Sequence, residues 1–234
     1  MTPFVRTTAS LEIYRTLRAE ILSLRFKPGE ELNLQLLCEQ LQVSRSPVRD
    51  ALMRLAGDNL VDIYPQRGTR VSLINLKQVE EERFLRKSLE ESAVKKLIYQ
   101  GKEDDWRSME RVIEDQVAAM QDGDFVAFLE TDDAFHQTIF EAIGMGRIWR
   151  IIKAQGGNHH RIRLLSFYEK NVIANIIEEH RQMVGALRTK QKDTLLALEN
   201  THLSKLLQET ESIVARYPNY FTKQAAPRLG RTAT

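Results

Sequence analysis

Residues 41–70 read LQVSRSPVRDALMRLAGDNLVDIYPQRGTR, and this stretch decides the fold class. Ser44 suits a helix N-cap, and Pro47 falls in the first turn, where a missing N–H costs the helix nothing. Because Pro47 has no N–H to offer, the spacing predicts that the Ser44 hydroxyl caps the amide of Ser46. Val48, Ala51, Leu52 and Leu55 recur at helical spacing and form a buried face. Arg45 and Arg49 stand one turn apart near the helix N-terminus, on the face those apolar residues leave free. After the Gly57-Asp58-Asn59 break, Leu60–Tyr64 and Thr69–Leu73 suit two short strands joined through Pro65-Gln66-Arg67-Gly68. Arginines at a helix entry to the major groove, beside a wing with an arginine at its tip, make DNA-binding geometry.

Working outward, Ile13, Leu17, Ile21 and Leu24 form an amphipathic first helix ended by Phe26-Lys27-Pro28-Gly29-Glu30. Asn33 is placed to cap a short second helix whose Leu37 and Leu41 face inward. A winged helix-turn-helix therefore spans residues 10–74, preceded by a flexible N-terminus over 1–9. This head resembles the GntR family of bacterial transcription regulators. The resemblance is carried by the Lys27-Pro28-Gly29 turn, by Val43-Ser44-Arg45-Ser46-Pro47-Val48-Arg49 and by Pro65-Gln66-Arg67-Gly68-Thr69.

The bulk properties are compatible with that reading. A chain of 234 residues with 42 % hydrophobic content supports one large or two small globular domains. A net charge of +2 means that DNA binding has to rest on a local patch. Cys38 stands alone and is expected as a reduced, buried thiol. No apolar run is long enough for a bilayer, and the N-terminus lacks a signal-peptide core, so a cytoplasmic protein with no membrane partner is expected.

From Asn75 the strand signals vanish, and residues 76–100, 103–121, 124–143, 146–167, 172–189 and 193–216 read as successive helices. The Gly156-Gly157 pair should loosen or kink the fourth of them. The fold is therefore mainly α: the winged head, then an all-helical bundle over 75–217, then a flexible tail over 218–234. The junction is short, Ile74-Asn75, so the domains should be closely coupled.

Polar residues interrupt the bundle's apolar seams. Asp132 and His136 lie in the seam of Phe125, Leu129, Ile139 and Ile143. His180 lies within Ile173, Ile177, Val184 and Leu187, and His202 within Leu195, Leu198 and Leu206. A lone seam histidine is more often a hydrogen-bonded core residue. A carboxylate and three imidazoles on three helices, however, would all be satisfied by one divalent metal. Asp132 and His136, at i and i+4, can chelate from one helix face.

The bundle also resembles the FCD effector domain of the FadR-type GntR subfamily, through Asp132-Asp133-Ala134-Phe135-His136, Glu179-His180 and Ala197-Leu198-Glu199-Asn200-Thr201-His202, with Arg86-Lys87-Ser88-Leu89-Glu90 fitting the first helix of that domain. The resemblance implies a divalent ion held by Asp132, His136, His180 and His202, with Asp133 the weaker carboxylate candidate. It also implies a small carboxylate metabolite at the ion, faced by Arg86. The spacing leaves an alternative, an internal Arg86–Glu90 ion pair. His159 or His160 is expected to reach the pocket, and His159 is taken as the effector contact. Three departures stand out: Gln35 where relatives often carry a basic residue, Lys95-Lys96 where small apolar residues are usual, and the Gly156-Gly157 pair.

These readings together imply a ligand-responsive regulator rather than an enzyme. A homodimer would present two heads to double-stranded operator DNA. Arg45 and Arg49 would reach base edges or phosphates, Ser44 and Ser46 would donate to phosphates, and Arg67 with Gly68 would set the wing near the minor groove. The donor set suits zinc, nickel or manganese. Two other classes remain: a metal-dependent hydrolase or lyase carrying a DNA-binding head, and a metal-free sensor of an acyl-CoA-type ligand.

Overall fold

The computed structural model describes residues 4–169 and 172–223. Helix α1 (Phe4–Leu22) turns Ile13, Leu17 and Ile21 into the core of the head. It begins at Phe4, so residues 4–9, expected as a flexible lead, are helical. Helix α2 (Leu34–Gln40) is capped by Asn33, whose side chain accepts from the amides of Gln35 and Leu36. Cys38 is half-buried rather than buried.

Helix α3 (Arg45–Gly57) buries Pro47, Val48, Ala51, Leu52 and Leu55, the face its spacing assigned. Ser44 stands at its N-cap with extended backbone but makes no side-chain cap bond, contrary to expectation. Pro47 removes the amide that an N-cap hydroxyl would most readily reach, and the Ser46 amide does not replace it. The Ser44 hydroxyl is left for an outside acceptor.

Strands β2 (Val61–Tyr64) and β3 (Gly68–Val71) form the wing, with Val61 opposite Val71 and Tyr64 opposite Gly68. A strand the sequence did not announce, β1 (Glu31–Leu32), pairs with the other edge of β3 and gives the order β1-β3-β2. At the wing tip Gly68 adopts φ +100, where a Cβ would strain the backbone.

The second domain is entirely helical among the described residues. Helices α4 (Leu76–Gln100), α5 (Glu103–Asp122), α6 (Phe125–Ala142) and α9 (Val172–Arg188) enclose a core that includes Leu97, Met109, Phe128, Phe135, Ile139 and Ile177. Two helices expected as single pieces are each divided. The segment 146–167 becomes α7 (Gly146–Gln155) and α8 (Gly157–Ser166), because the paired glycines at 156 and 157 let the chain turn. The segment 193–216 becomes α10 (Lys192–Ser204) and α11 (Leu206–Arg216), separated at Lys205, whose amide reaches back only to His202 O at 3.5 Å.

Helix α8 lies against the head. A Cβ on Gly157 would come within 2.9 Å of the Leu60 side-chain tip, so the Leu60 side chain would have to shift to admit any other residue. The Arg161 guanidinium, fully buried, donates to Ser72 O at 2.6 Å and to Asn158 Oδ1 at 3.0 Å. Asn158 in turn accepts from the Asn75 amide at 3.0 Å. On the other side of the junction, Ile74 N–H donates to Tyr220 O at 2.8 Å and Thr222 N–H donates to Ile74 O at 3.0 Å. The segment read as a tail therefore starts as a 3-10 turn, Pro218–Tyr220, and docks on Ile74 through a parallel bridge at Phe221, which is only 5 % exposed. Residues 224–234 of that reading lie outside the described residues.

Candidate functional site

The molecule carries two candidate sites, one on each domain. On the head, Ser44, Arg45, Ser46 and Arg49 are exposed at the N-terminal end of α3. Arg67 and Gly68 are exposed at the wing tip. A cleft lined by Asn33, Arg49, Met53, Tyr64, Gln66 and Gly68 separates recognition helix from wing. Gln35, on α2, hydrogen-bonds Glu39 at 3.1 Å. This face has the shape and charge to lie on a duplex, the helix in one groove and the wing beside it.

In the bundle, Asp132 and His136 from α6, His180 from α9 and His202 from α10 converge. One donor atom from each lies within 4.8 Å of all the others. His136 Nε2 stands 3.1 Å from His202 Nε2 and 3.9 Å from Asp132 Oδ2. His180 Nε2 stands 3.7 Å from Asp132 Oδ1, and both of these atoms are buried without a hydrogen-bond partner. Asp133 does not join them. Its carboxylate is taken by Arg163 at 2.7 Å and by Lys153, with His160 at 3.6 Å.

The other nitrogen of every imidazole is already engaged. His136 Nδ1 meets Glu90 Oε1, His180 Nδ1 meets Gln116 Oε1 at 3.0 Å, and His202 Nδ1 meets Glu179 Oε2 at 2.9 Å. Each partner offers an oxygen, which favours a proton on the Nδ1 it meets and turns each Nε2 toward the cluster. Burial, with the Arg86 charge adding to it at His136, pushes His136 and His180 well below the usual imidazole range and keeps them neutral. His136 Nε2 and His202 Nε2 face one another at 3.1 Å, close enough for one cation or one shared proton to bridge them. Imidazoles oriented by outer acceptors, with one carboxylate, are a donor set that could hold a divalent metal ion.

The counter-charges are arranged around this cluster. Arg163 binds Asp132 Oδ2 with one amino group and Asp133 with the other, which leaves Asp132 Oδ1 free. Burial opposes the charge on Asp133, but Arg163, His160 and Lys153 outweigh it and hold that carboxyl well below the usual range. Arg86 donates through Nε to Glu90 at 3.1 Å, and its guanidinium lies 5.5 Å from the Trp149 ring centroid. The internal pair and the inward-facing arginine, alternatives on paper, are both present. Glu199 is fully buried and no donor reaches either oxygen; burial and the neighbouring Glu90 charge raise it well above the usual range, so it keeps its proton.

A cavity of about 60 Å³ opens beside the cluster. Its polar end is formed by Arg83, Arg86, Asp132, His159, Arg163 and His202, its apolar end by Phe167, Val172, Ile176, Leu203 and Leu206. His159 thus faces this cavity, whereas His160 faces Asp133.

Sequence reasoning missed the acceptors Gln116 and Glu179 and the cations Arg83 and Arg163. Gln116 carried the same signal as the histidines: it interrupts the seam of Trp106, Met109, Ile113 and Ala119 on α5. Arg163 had no such signal, because an arginine one turn past His159 reads as a surface residue.

The FCD domain family matches residues 83–205, and the family described as "Bacterial regulatory proteins, gntR family" matches residues 9–71. An HTH-type transcriptional regulator in an unstable DNA locus of Streptomyces ambofaciens is 30 % identical over 216 residues, spanning 92 % of this chain and 90 % of its own. The HTH-type transcriptional repressor RspR of Escherichia coli K12 is 26 % identical over 213 residues, spanning 91 % of this chain and 93 % of its own. The solved structure of E. coli McbR/YncC superposes with a TM-score of 0.71 at 22 % identity, covering 90 % of this chain and 98 % of that one. A putative GntR regulator from Rhodococcus sp. RHA1 gives 0.73 at 19 % identity, covering 90 % and 99 %. The winged head, the helical domain behind it and these matches lead to one assignment: the chain belongs to the gntR family of bacterial transcriptional regulators, with an FCD domain following its DNA-binding head.

Proposed function

We propose that this regulator senses a small carboxylate metabolite at a divalent metal in its FCD domain and passes the signal to its head. The observation that carries the proposal is the pair of orphaned buried atoms, Asp132 Oδ1 and His180 Nε2, 3.7 Å apart, beside the His136 and His202 Nε2 atoms that face each other at 3.1 Å. Buried polar atoms without partners are costly, and a ligating cation relieves them together.

Asp132, His136, His180 and His202 would hold the ion, which when bound supplies Lewis-acidic positions to a ligand carboxylate. Glu90, Gln116 and Glu179 fix the imidazole tautomers. Arg86 and His159 face the ligand; a guanidinium there suits a carboxylate. Zinc, nickel and manganese all accept such a donor set. The cavity of about 60 Å³ supports a ligand of a few heavy atoms and not an acyl-CoA. Glu179, the carboxylate next to His180, already holds His202 and Lys205 and is therefore not free to act as a base.

On the DNA side, Arg45 and Arg49 read the major groove, Ser44 and Ser46 anchor phosphates, and Arg67 and Gly68 carry the wing. Two heads, presented by a homodimer in the cytoplasm, would meet the two halves of a near-palindromic operator. No described helix is long and apolar enough to cross a membrane.

The test is thermal melting of metal-loaded protein against a panel of small carboxylic acids, repeated after chelation. A shift that vanishes on chelation supports an acid bound at the ion. A shift that survives chelation moves the pocket away from the metal and overturns the proposal.

A further inference from the structure

The segment that follows His202 contributes to the pocket wall and also reaches the junction with the head. Lys205, Leu206 and Glu209 are among the residues that line the cavity. Lys205 binds Glu179, the carboxylate that also holds His202 Nδ1. From there α11 packs on α8 and on the closing turn at Pro218–Tyr220. Leu206, Ile213 and Phe221 share one apolar cluster with Ile162 and Leu165 of α8 and with Ile74 of the junction. The chain then forms a two-bond bridge to Ile74, through Tyr220 O and the Thr222 amide. Ile74 is fully buried there. Thr222 finally borders a cleft shared with Tyr64, Arg70 and Ser72 of the wing.

We infer that residues 206–222 are a strap that ties the effector pocket to the interdomain junction, with Phe221 as the residue that positions the DNA-binding head. The inference rests on reading the cavity as the effector site. A pocket wall and a junction clamp built from one short stretch of chain move together or not at all. The junction is held from the opposite side by α8, through Arg161 on Ser72 O and Asn158 on the Asn75 amide. Two of the ties that hold the head continue into the pocket, α8 through His159 and the strap through Leu206, while Arg18 of α1 adds a separate bond to Lys153 O at 2.8 Å. Loosening the strap frees the head without removing any metal donor.

The test uses hydrogen exchange on the full chain, with and without zinc, for the parent, Phe221→Ala and Thr222→Pro. The proline variant deletes one bridge bond without opening a cavity, and Phe221 already has the extended backbone that precedes a proline readily. In the parent, zinc is expected to slow exchange in the bundle, at the Ile74 amide and in α3. In both variants zinc should still slow the bundle, while the Ile74 amide exchanges roughly tenfold faster and α3 stops responding. Variants whose α3 answers zinc as the parent does would overturn the inference. So would variants in which zinc no longer slows the bundle, because the strap would then belong to the pocket's own fold. A parent whose bundle ignores zinc sinks the metal reading instead. In that event the zinc-free comparison of Ile74 and α3 still decides whether the strap holds the head.

Discussion

Replacing His180 with phenylalanine should silence the metal response at almost no cost to the apo-protein. In the parent, His180 stacks on Phe135 with ring centroids 3.8 Å apart and planes 13° apart. Its Nδ1 is bonded to Gln116 and its Nε2 is buried without a partner. A phenyl ring keeps the stack, removes the orphaned Nε2 and strands the Gln116 oxygen. A buried unpaired polar group costs about 1–3 kcal/mol, so the two changes oppose and nearly cancel. In chelator the variant should melt within about 1 kcal/mol of the parent, or about 2–4 °C for a chain of this size. With free zinc at about 100 times its dissociation constant, the parent should gain about 2.7 kcal/mol. That corresponds to about 5–11 °C. The variant, left with three protein donors, should gain little. Differential scanning calorimetry with and without zinc reads both effects. A full zinc shift in the variant refutes His180 as a ligand. A loss above about 3 kcal/mol in chelator refutes the premise that its Nε2 is unsatisfied.

Three further outcomes are expected. Arg49→Glu should weaken binding to a selected operator by more than tenfold in a mobility-shift titration, since one good arginine–guanine contact is worth about 1–3 kcal/mol; unchanged affinity would mean α3 is not the reading helix. Tyr14 donates to Asp58 between α1 and the end of α3, and burial together with that bond raises its pKa above 10.0. Its contribution is therefore complete below pH 10 and is lost as pH rises through the higher folded value. Tyr14→Phe should cost about 1 kcal/mol near neutrality and flatten that alkaline loss in pH-dependent urea melts. Gly101→Ala should destabilise by about 1–3 kcal/mol, because the new Cβ collides with the Trp106 ring and lies 2.8 Å from Leu97 O; a wild-type denaturation midpoint would show that the turn can relax.

The sequence was most legible where one periodicity governed. The face of α3, the cap at Asn33 and the wing strands followed from spacing and turn chemistry, and so did the convergence of Asp132, His136, His180 and His202. What escaped depends on partners distant in sequence. Strand β1 exists because Glu31 and Leu32 meet Arg70 and Thr69, which no local pattern encodes. Arg161 reads as a surface cation and is buried because its acceptor, Ser72 O, belongs to the other domain. The break at Lys205 has no glycine or proline to announce it; that lysine is drawn to Glu179 on another helix. Phe221 sits in a polar, uneven stretch that looks like a loose end, and only the junction gives its ring somewhere to go.

Trp149 has a practical consequence. The chain has two tryptophans, Trp106 and Trp149, and both belong to the FCD domain. Trp149 is buried, with Arg86 over its ring and the His136 imidazole stacked 6.3 Å away. The protein therefore carries a built-in lamp beside its receptor site while its DNA-reading part stays dark. Any solute that displaces Arg86 or turns the His136 ring changes the colour or brightness of that lamp. Candidate effectors can accordingly be ranked by ultraviolet emission from unlabelled protein, before anyone knows which stretch of DNA it reads.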